Sequence, residues 1–215
     1  MTKILVSLLV AVALNRAAFA QATKPLYEND FAQATAGKVP DDFLVIDGAF
    51  SVKQDGGNKF LELPGAPLET FGVLFGPTGK DNLAVTARIC GTSKGRRFPT
   101  LAVSLGGVSG FRLQVSPAKK ALELFRGDTL KTSVPYDWVS GQWTRLKLQI
   151  RTLREGHWKV EGKAWTADAP EPGWSVSIDE TEPPVAGRAA LWGSPFAGTP
   201  IRYDDLTVTP ASDQP

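Results

Sequence analysis

The chain of 215 residues has one cysteine, Cys90, one histidine, His157, and beyond its first 20 residues no apolar run long enough to cross a bilayer. Each shortage removes a class of explanation. A lone cysteine cannot close an intrachain disulfide, so the fold must be held by packing or by a bound ion. No histidine stands near Cys90 in sequence to act as the base that a nucleophilic thiol needs, and strand parity groups it with Ala84, Thr86 and Arg88 as a half-buried, inert thiol. One histidine and one cysteine also exclude zinc sites built from several such ligands, and His157 reads as a surface residue opening a strand. A spanning helix needs roughly 20 apolar residues, so no stable membrane insertion is expected. Gly91-Thr92-Ser93-Lys94-Gly95 lacks phosphate-loop spacing, and Gly107-Val108-Ser109-Gly110 lacks the second glycine and the strand-to-helix context of a nucleophile elbow. No window after residue 20 carries a helical apolar stripe.

Charge is equally uninformative once the start of the chain is set aside. Met1 to Ala20 has a positive start at Lys3, an apolar stretch from Ile4 to Leu14 interrupted by Ser7, and the small-x-small site Ala18-Phe19-Ala20. That order predicts a secretory signal cut after Ala20, or after Ala22, and a protein that is secreted or periplasmic. Residues 21–215 then hold 22 basic and 22 acidic residues, a formal charge of zero that gives no footprint for nucleic acid.

What is present is alternation. Leu146, Leu148 and Ile150 alternate with Arg145, Lys147, Gln149 and Arg151, and a second alternating stretch follows the turn Arg154-Glu155-Gly156. Period two over this length predicts a β-hairpin with one buried and one wet face. Turn residues divide the rest into strands near 26–31, 43–53, 58–63, 70–75, 81–91, 98–106, 109–116, 120–126, 129–134, 142–153, 157–166, 174–178, 187–193 and 200–209. So many strands in about 195 residues, without an internal repeat, predict an all-β antiparallel β-sandwich, larger than a seven-stranded domain, filling residues 21–210 as a single unit with a flexible tail at 211–215.

The ends of this domain carry paired markers: Asp30-Phe31 and Asp47-Gly48, with Ala49, Phe50 and Val52 opening a strand, answered by Tyr203-Asp204-Asp205-Leu206-Thr207-Val208. Between them lie Gly141-x-Trp143-x-x-Leu146, Gly173-Trp174 and Gly187-Arg188-x-x-Leu191. This order resembles the concanavalin A-like lectin and glucanase superfamily, and within it the laminin-G-like and 3-keto-disaccharide-hydrolase-like jelly rolls. The resemblance implies a concanavalin A-like jelly roll. It also implies a structural Ca²⁺ between the first and last strands, held by Asp30, the carbonyl of Gly48 and Asp204, although a calcium ion usually takes six to eight oxygens. Glucanases of this kind set carboxylates on alternate positions of one strand, but their Glu-x-Asp-x-x-Glu pattern is missing here. A retaining pair needs carboxyls roughly 5 Å apart, and the nearest acidic cluster, Asp179-Glu180-x-Glu182, precedes Pro183-Pro184 and reads as a solvated loop.

The outer face of the central hairpin is the candidate binding surface. With the turn at 154–156, Arg145 faces Trp165, Lys147 faces Lys163, Gln149 faces Glu161 and Arg151 faces Lys159. Such a basic row with an indole at its edge suits an acidic glycan, the indole packing on a sugar ring and the guanidinium meeting carboxylate or sulfate. Trp138 and Tyr136 form a second aromatic candidate in a loop. Trp158 falls on the buried face, and Trp143, Trp174 and Trp192 read as structural. The leading expectation is a secreted, non-catalytic carbohydrate-binding domain. The alternatives are a glycoside-processing hydrolase of the 3-keto-disaccharide type and an envelope domain that contacts other proteins.

Overall fold

The computed structural model describes residues 24–66 and 69–212, so the expected signal segment at 1–20 and the last residues of the expected tail lie outside the described part. In chain order the strands are β1 (Tyr27–Asn29), β2 (Leu44–Asp47), β3 (Ser51–Asp55), β4 (Asn58–Leu63), β5 (Phe71–Gly79), β6 (Leu83–Cys90), β7 (Thr100–Leu105) and β8 (Phe111–Ser116). A short 3-10 turn over Pro117–Lys119 leads to β9 (Ala121–Arg126), β10 (Thr129–Pro135), β11 (Trp143–Arg154), β12 (His157–Thr166), β13 (Val176–Glu180), β14 (Gly187–Ser194) and β15 (Ile201–Pro210). The one expected strand that divides is 43–53. Gly48, at φ +108°, breaks it so that β2 joins one sheet and β3 the other.

Every pairing is antiparallel. The first sheet runs β13-β12-β11-β6-β15-β4-β3, with β1 added on β15, and the second runs β10-β9-β8-β7-β14-β5-β2. Alternation explains why they stack. Val85, Ala87 and Ile89 of β6 and Leu146, Leu148 and Ile150 of β11 face Leu101, Val103 and Leu105 of β7 and Leu113 and Val115 of β8 in one buried cluster. Each sheet therefore keeps one outer face, and those two faces are the places where polar chemistry can collect. Cys90 is half-buried, as its parity predicts, and burial pushes its thiol up.

One local expectation is corrected. Glu180 belongs to β13 and is buried, bound by Lys131 at 2.6 Å and Arg126 at 3.4 Å. The acidic cluster is therefore half strand, because cations from β9 and β10 reach it across the sandwich edge. The tail is also tied where it begins: the Ala211 amide donates to the Asn82 carbonyl, and Ser212 exchanges hydrogen bonds with the Gln149 side chain.

Candidate functional site

On the first sheet the hairpin pairs in the expected register, Arg145 with Trp165, Lys147 with Lys163, Gln149 with Glu161 and Arg151 with Lys159. A bulge near its end leaves Glu155-Gly156 as the turn. Yet its outer face is not open. Trp165 is only 8% exposed and Lys163 is fully buried, which corrects the expectation of a wet basic row with an exposed indole. The segment between β12 and β13 lies across it. Lys163 Nζ donates to the Pro172 carbonyl at 2.8 Å, Glu171 pairs with both Lys147 (2.8 Å) and Lys163 (2.9 Å), and the Trp174 ring sits 4.2 Å from Lys163 Nζ. Arg145 reaches Asp205 at 3.1 Å, Arg151 reaches Glu161 at 3.1 Å, and Lys159 reaches Asp179 at 3.4 Å. The cations of the row are thus matched by acids, Arg151 by Glu161 of the hairpin itself and the others by acids from other segments. The cation–π contacts of this face are likewise Arg88 on Trp143 and the two lysines on Trp174, in place of Arg145 on Trp165.

Trp138 and Tyr136 are half-buried and pack against the main core, and burial raises the Tyr136 phenol. Tyr136 meets the hairpin at Thr144, a buried residue of β11, and not on the outer basic row.

The three residues expected to hold calcium do not fit it. Asp204 is 1% exposed, and its carboxylate accepts from Arg88 at 2.6 Å, from Asn58 Nδ2 at 2.9 Å and from the Asp205 amide at 2.8 Å. A bulge at Asp204-Asp205, with Asp205 at φ +49°, lets Arg88 engage both carboxylates. Asp30 is exposed and closes a turn onto the Ala32 amide, and Gly48 sits against Phe71, Leu63 and Phe50. Among the described residues no three acidic, histidine or cysteine side chains converge as a metal site. An arginine occupies the electrostatic role that the ion would have filled.

The second sheet's outer face is built differently. In β8, Phe111, Leu113 and Val115 point to the core, so Arg112 and Gln114 stand on the other side. In β14 the same parity sends Leu191 inward and Trp192 outward. Register then brings them together. Gly72, Trp192, Ala102, Gln114 and Glu123 form one cross-strand row, and Leu74, Ala190, Ser104, Arg112 and Phe125 the next. The Trp192 ring lies over Gly72 so closely that a Cβ there would fall 2.5 Å from it, and Ala102 and Ala190 complete its bed. Its Nε1 donates to Ser104 Oγ at 2.9 Å, which fixes the ring's rotation.

Around that ring opens a cleft of about 370 Å³ lined by Thr70, Arg112, Gln114, Asp128, Trp192 and the Val108-Ser109 turn. This volume falls in the range of ligand clefts, about 300–1,000 Å³. Arg112 packs against Phe125 and Trp192, its guanidinium carbon 5.0 and 6.0 Å from the ring centres. Burial pulls it below the usual arginine range, and Asp128 opposes that shift. Gln114 donates to Ser116 Oγ at 2.9 Å, and Ser116 in turn to Glu123, which Lys119 also holds at 2.9 Å. Thr70 and Ser194 share a hydrogen bond of 2.7 Å at the rim. Sequence reasoning named none of these as a site and read Trp192 as structural. The usable signal was the alternation Phe111-Arg112-Leu113-Gln114-Val115-Ser116 together with the outward parity of Trp192. What it lacked was the neighbourhood of β8, β7, β14 and β5.

Neither a protein-family model nor a curated protein sequence matches the chain. Solved structures do. The carbohydrate-binding module CBM66 from Bacillus subtilis aligns at 11% identity with a TM-score of 0.52, covering 78% of this chain and 95% of that one. A β-1,3-glucanase from Mycobacterium marinum aligns at 15% identity and TM-score 0.57, covering 87% and 100%. The exoplasmic/lumenal domain of VIP36, solved in a Ca²⁺- and mannose-bound form, aligns at 12% identity and TM-score 0.51, covering 81% and 85%. Likeness at these identities speaks to architecture, and with the two stacked antiparallel sheets it establishes that the chain has the galectin-like, concanavalin A-like jelly-roll fold.

Proposed function

We propose that this protein is a non-catalytic carbohydrate-binding domain and that its binding site is the cleft on the outer face of the second sheet. The observation that carries the reading is Trp192, an indole only 9% exposed and fixed by Ser104, which borders a cleft otherwise lined by polar side chains, Gly127 and Val108. A sugar ring presents apolar C–H patches and a rim of hydroxyls. An aromatic edge beside an amide, a hydroxyl, a guanidinium and a carboxylate offers a partner to each. Carbohydrate-binding proteins among the solved structures of this fold support the same reading, and the leader-like residues 1–20 agree with a secreted or periplasmic protein that meets polysaccharide outside the cytoplasm.

The test is calorimetric titration of the purified chain with neutral and acidic oligosaccharides, alongside Trp192→Ala and Arg145→Ala. Binding that weakens at least tenfold in Trp192→Ala and is unchanged in Arg145→Ala is the expected result. Binding that survives Trp192→Ala but is lost in Arg145→Ala would return the site to the hairpin face. Turnover of a bound oligosaccharide would replace a binding domain with a hydrolase.

A further inference from the structure

Arg112 differs from the other half-buried arginines of the molecule. Arg88 is held by Asp204 and Asp205, Arg126 by Glu180 and Glu182, Arg145 by Asp205, and Arg188 by the carbonyls of Gly76 and Asp42. Among the described residues no carboxylate or carbonyl takes a hydrogen bond from the Arg112 side chain; its buried Nε, like that of Arg88, has no hydrogen-bond partner, but Arg88 Nε lies 3.2 Å from the Asp205 carboxylate and Arg112 has no carboxylate within ion-pair distance. An aromatic face attracts a cation's charge but takes few of the five N–H donors of a guanidinium, so Phe125 and Trp192 leave those donors unclaimed. The buried Nε carries the cost of an unpartnered donor, and the terminal N–H groups, which no protein acceptor takes, are left for whatever occupies the cleft.

The charges around it narrow what that something is. Asp128, exposed at the cleft rim, influences Arg112 but lies beyond ion-pair distance, and Glu123, three strand spacings from Trp192, is already taken by Ser116 and Lys119. A second cleft of about 380 Å³ continues past Ser109 and Gly127 to Arg126 and Lys131, but those two cations are satisfied by Glu180 and Glu182. The uncommitted positive charge of this face is therefore concentrated on one planar group in the cleft itself.

We propose that Arg112 is the anion-recognising residue of the cleft and that the glycan bound there carries an acidic substituent, a carboxylate or a sulfate, that the guanidinium receives. The inference rests on the cleft being the glycan site. A carboxylate or sulfate presents two oxygens at the spacing of two guanidinium N–H groups, and such paired, charge-assisted bonds are among the strongest available in a partly dry site. Stacking against Phe125 and Trp192 fixes the guanidinium beforehand, so little side-chain freedom is lost on binding. A neutral sugar would offer only hydroxyl oxygens, which suit a cation less well.

The experiment is a matched titration. Oligogalacturonate and oligomannuronate are each compared with their carboxyl-reduced forms, and a heparin oligosaccharide with its desulfated form, on the wild-type chain, Arg112→Gln, Arg112→Lys and Asp128→Asn. At least one acidic member is expected to bind about 10- to 100-fold more tightly than its neutral counterpart. Arg112→Gln should erase that difference, Arg112→Lys should recover only part of it, and Asp128→Asn should enlarge it. Thermal unfolding of each variant shows whether the fold is intact, and the Asp128 variant reads the same electrostatics without touching Arg112. Which pair shows the preference separates carboxylate from sulfate. Equal binding of acidic and neutral members, lost only in Trp192→Ala, overturns the role of Arg112 and leaves the glycan cleft standing. An acidic preference that persists in Arg112→Gln overturns it too. Absence of binding by every oligosaccharide removes both.

Discussion

The two outer faces of this sandwich carry similar residue types and end in opposite states. On the first sheet, cations from β11 and β12 are closed off by Glu171, Asp205 and Asp179, and a loop with Trp174 covers the lysines. On the second, Arg112 keeps its donors, Trp192 borders a cleft, and the nearest acid stops short of an ion pair. Aromatic rings and arginines in a row are therefore a poor guide to binding until their partners are counted. A face whose charges are matched within the chain is architecture. A face that leaves an arginine without a protein acceptor beside a cleft has an interaction still to make.

Glu171 tests the closed face hardest. Lys163 is fully buried, and removing the acid that faces it strands a charge, so Glu171→Ala is expected to lower stability by about 3 kcal/mol in denaturant unfolding. Lys163→Met removes the buried charge itself, leaves only a half-exposed carboxylate behind, and should cost less than about 1 kcal/mol. If both variants cost the same, the loop is held by packing and the ion pairs are incidental. The pH dependence has a definite sign. Burial alone would raise the Glu171 carboxyl, but hydrogen bonds and charge from Lys147 and Lys163 outweigh it and hold the group below its ordinary 4.5. A carboxylate depressed in the folded state adds stability that is complete above its unfolded value and fades as pH falls through the lower folded one. Wild-type stability should therefore decline below about 4.5 by a component that Glu171→Gln lacks.

Much of this contrast was out of reach of the sequence, and the reasons are local. Alternation from Arg145 to Arg151 and from Lys159 to Trp165 was enough to set the hairpin register, because a slip of one residue would have buried the cations and exposed Leu146, Leu148 and Ile150. It could not show that Glu171, eight residues beyond Lys163 in a stretch without regular structure, folds back over that lysine. Nor could it show that Arg88, on a strand far from the C-terminus in sequence, would saturate Asp204 and displace the expected ion. The strands of the second sheet were legible one by one. Their lateral order was not, and only that order sets Trp192 beside Gly72 and Arg112 beside Phe125.

Gly72 sharpens the open face. Its missing Cβ is what allows the Trp192 ring to lie flat, so Gly72→Ala forces ring or strand to move. Overpacking of this kind costs typically about 1–3 kcal/mol, and a ring held by Ser104 has little room to yield. Glycan affinity should fall with it, since the indole's position is what the cleft depends on. A variant that loses stability but binds normally would show that Trp192 supports the sheet without touching the ligand.

The smallest effect separates two kinds of unsatisfied group. Tyr203 is fully buried, its hydroxyl has no hydrogen-bond partner among the described residues, and burial raises that phenol far above its usual range. Tyr203 is not among the residues that line the cleft, and its oxygen sits against Gly193. Removing it should therefore relieve a desolvation cost and offer nothing to lose. Tyr203→Phe is expected to raise stability by about 1 kcal/mol, read as a small upward shift in thermal midpoint, with glycan binding unchanged. Arg112 also carries an unpaired buried donor, but it borders the cleft. If Arg112→Met likewise stabilises the free chain while abolishing selective binding, its vacancy is one that a ligand fills. If Tyr203→Phe destabilises, the hydroxyl makes contacts worth more than its lost hydration, and an orphaned donor in this core would no longer mark a ligand position by itself.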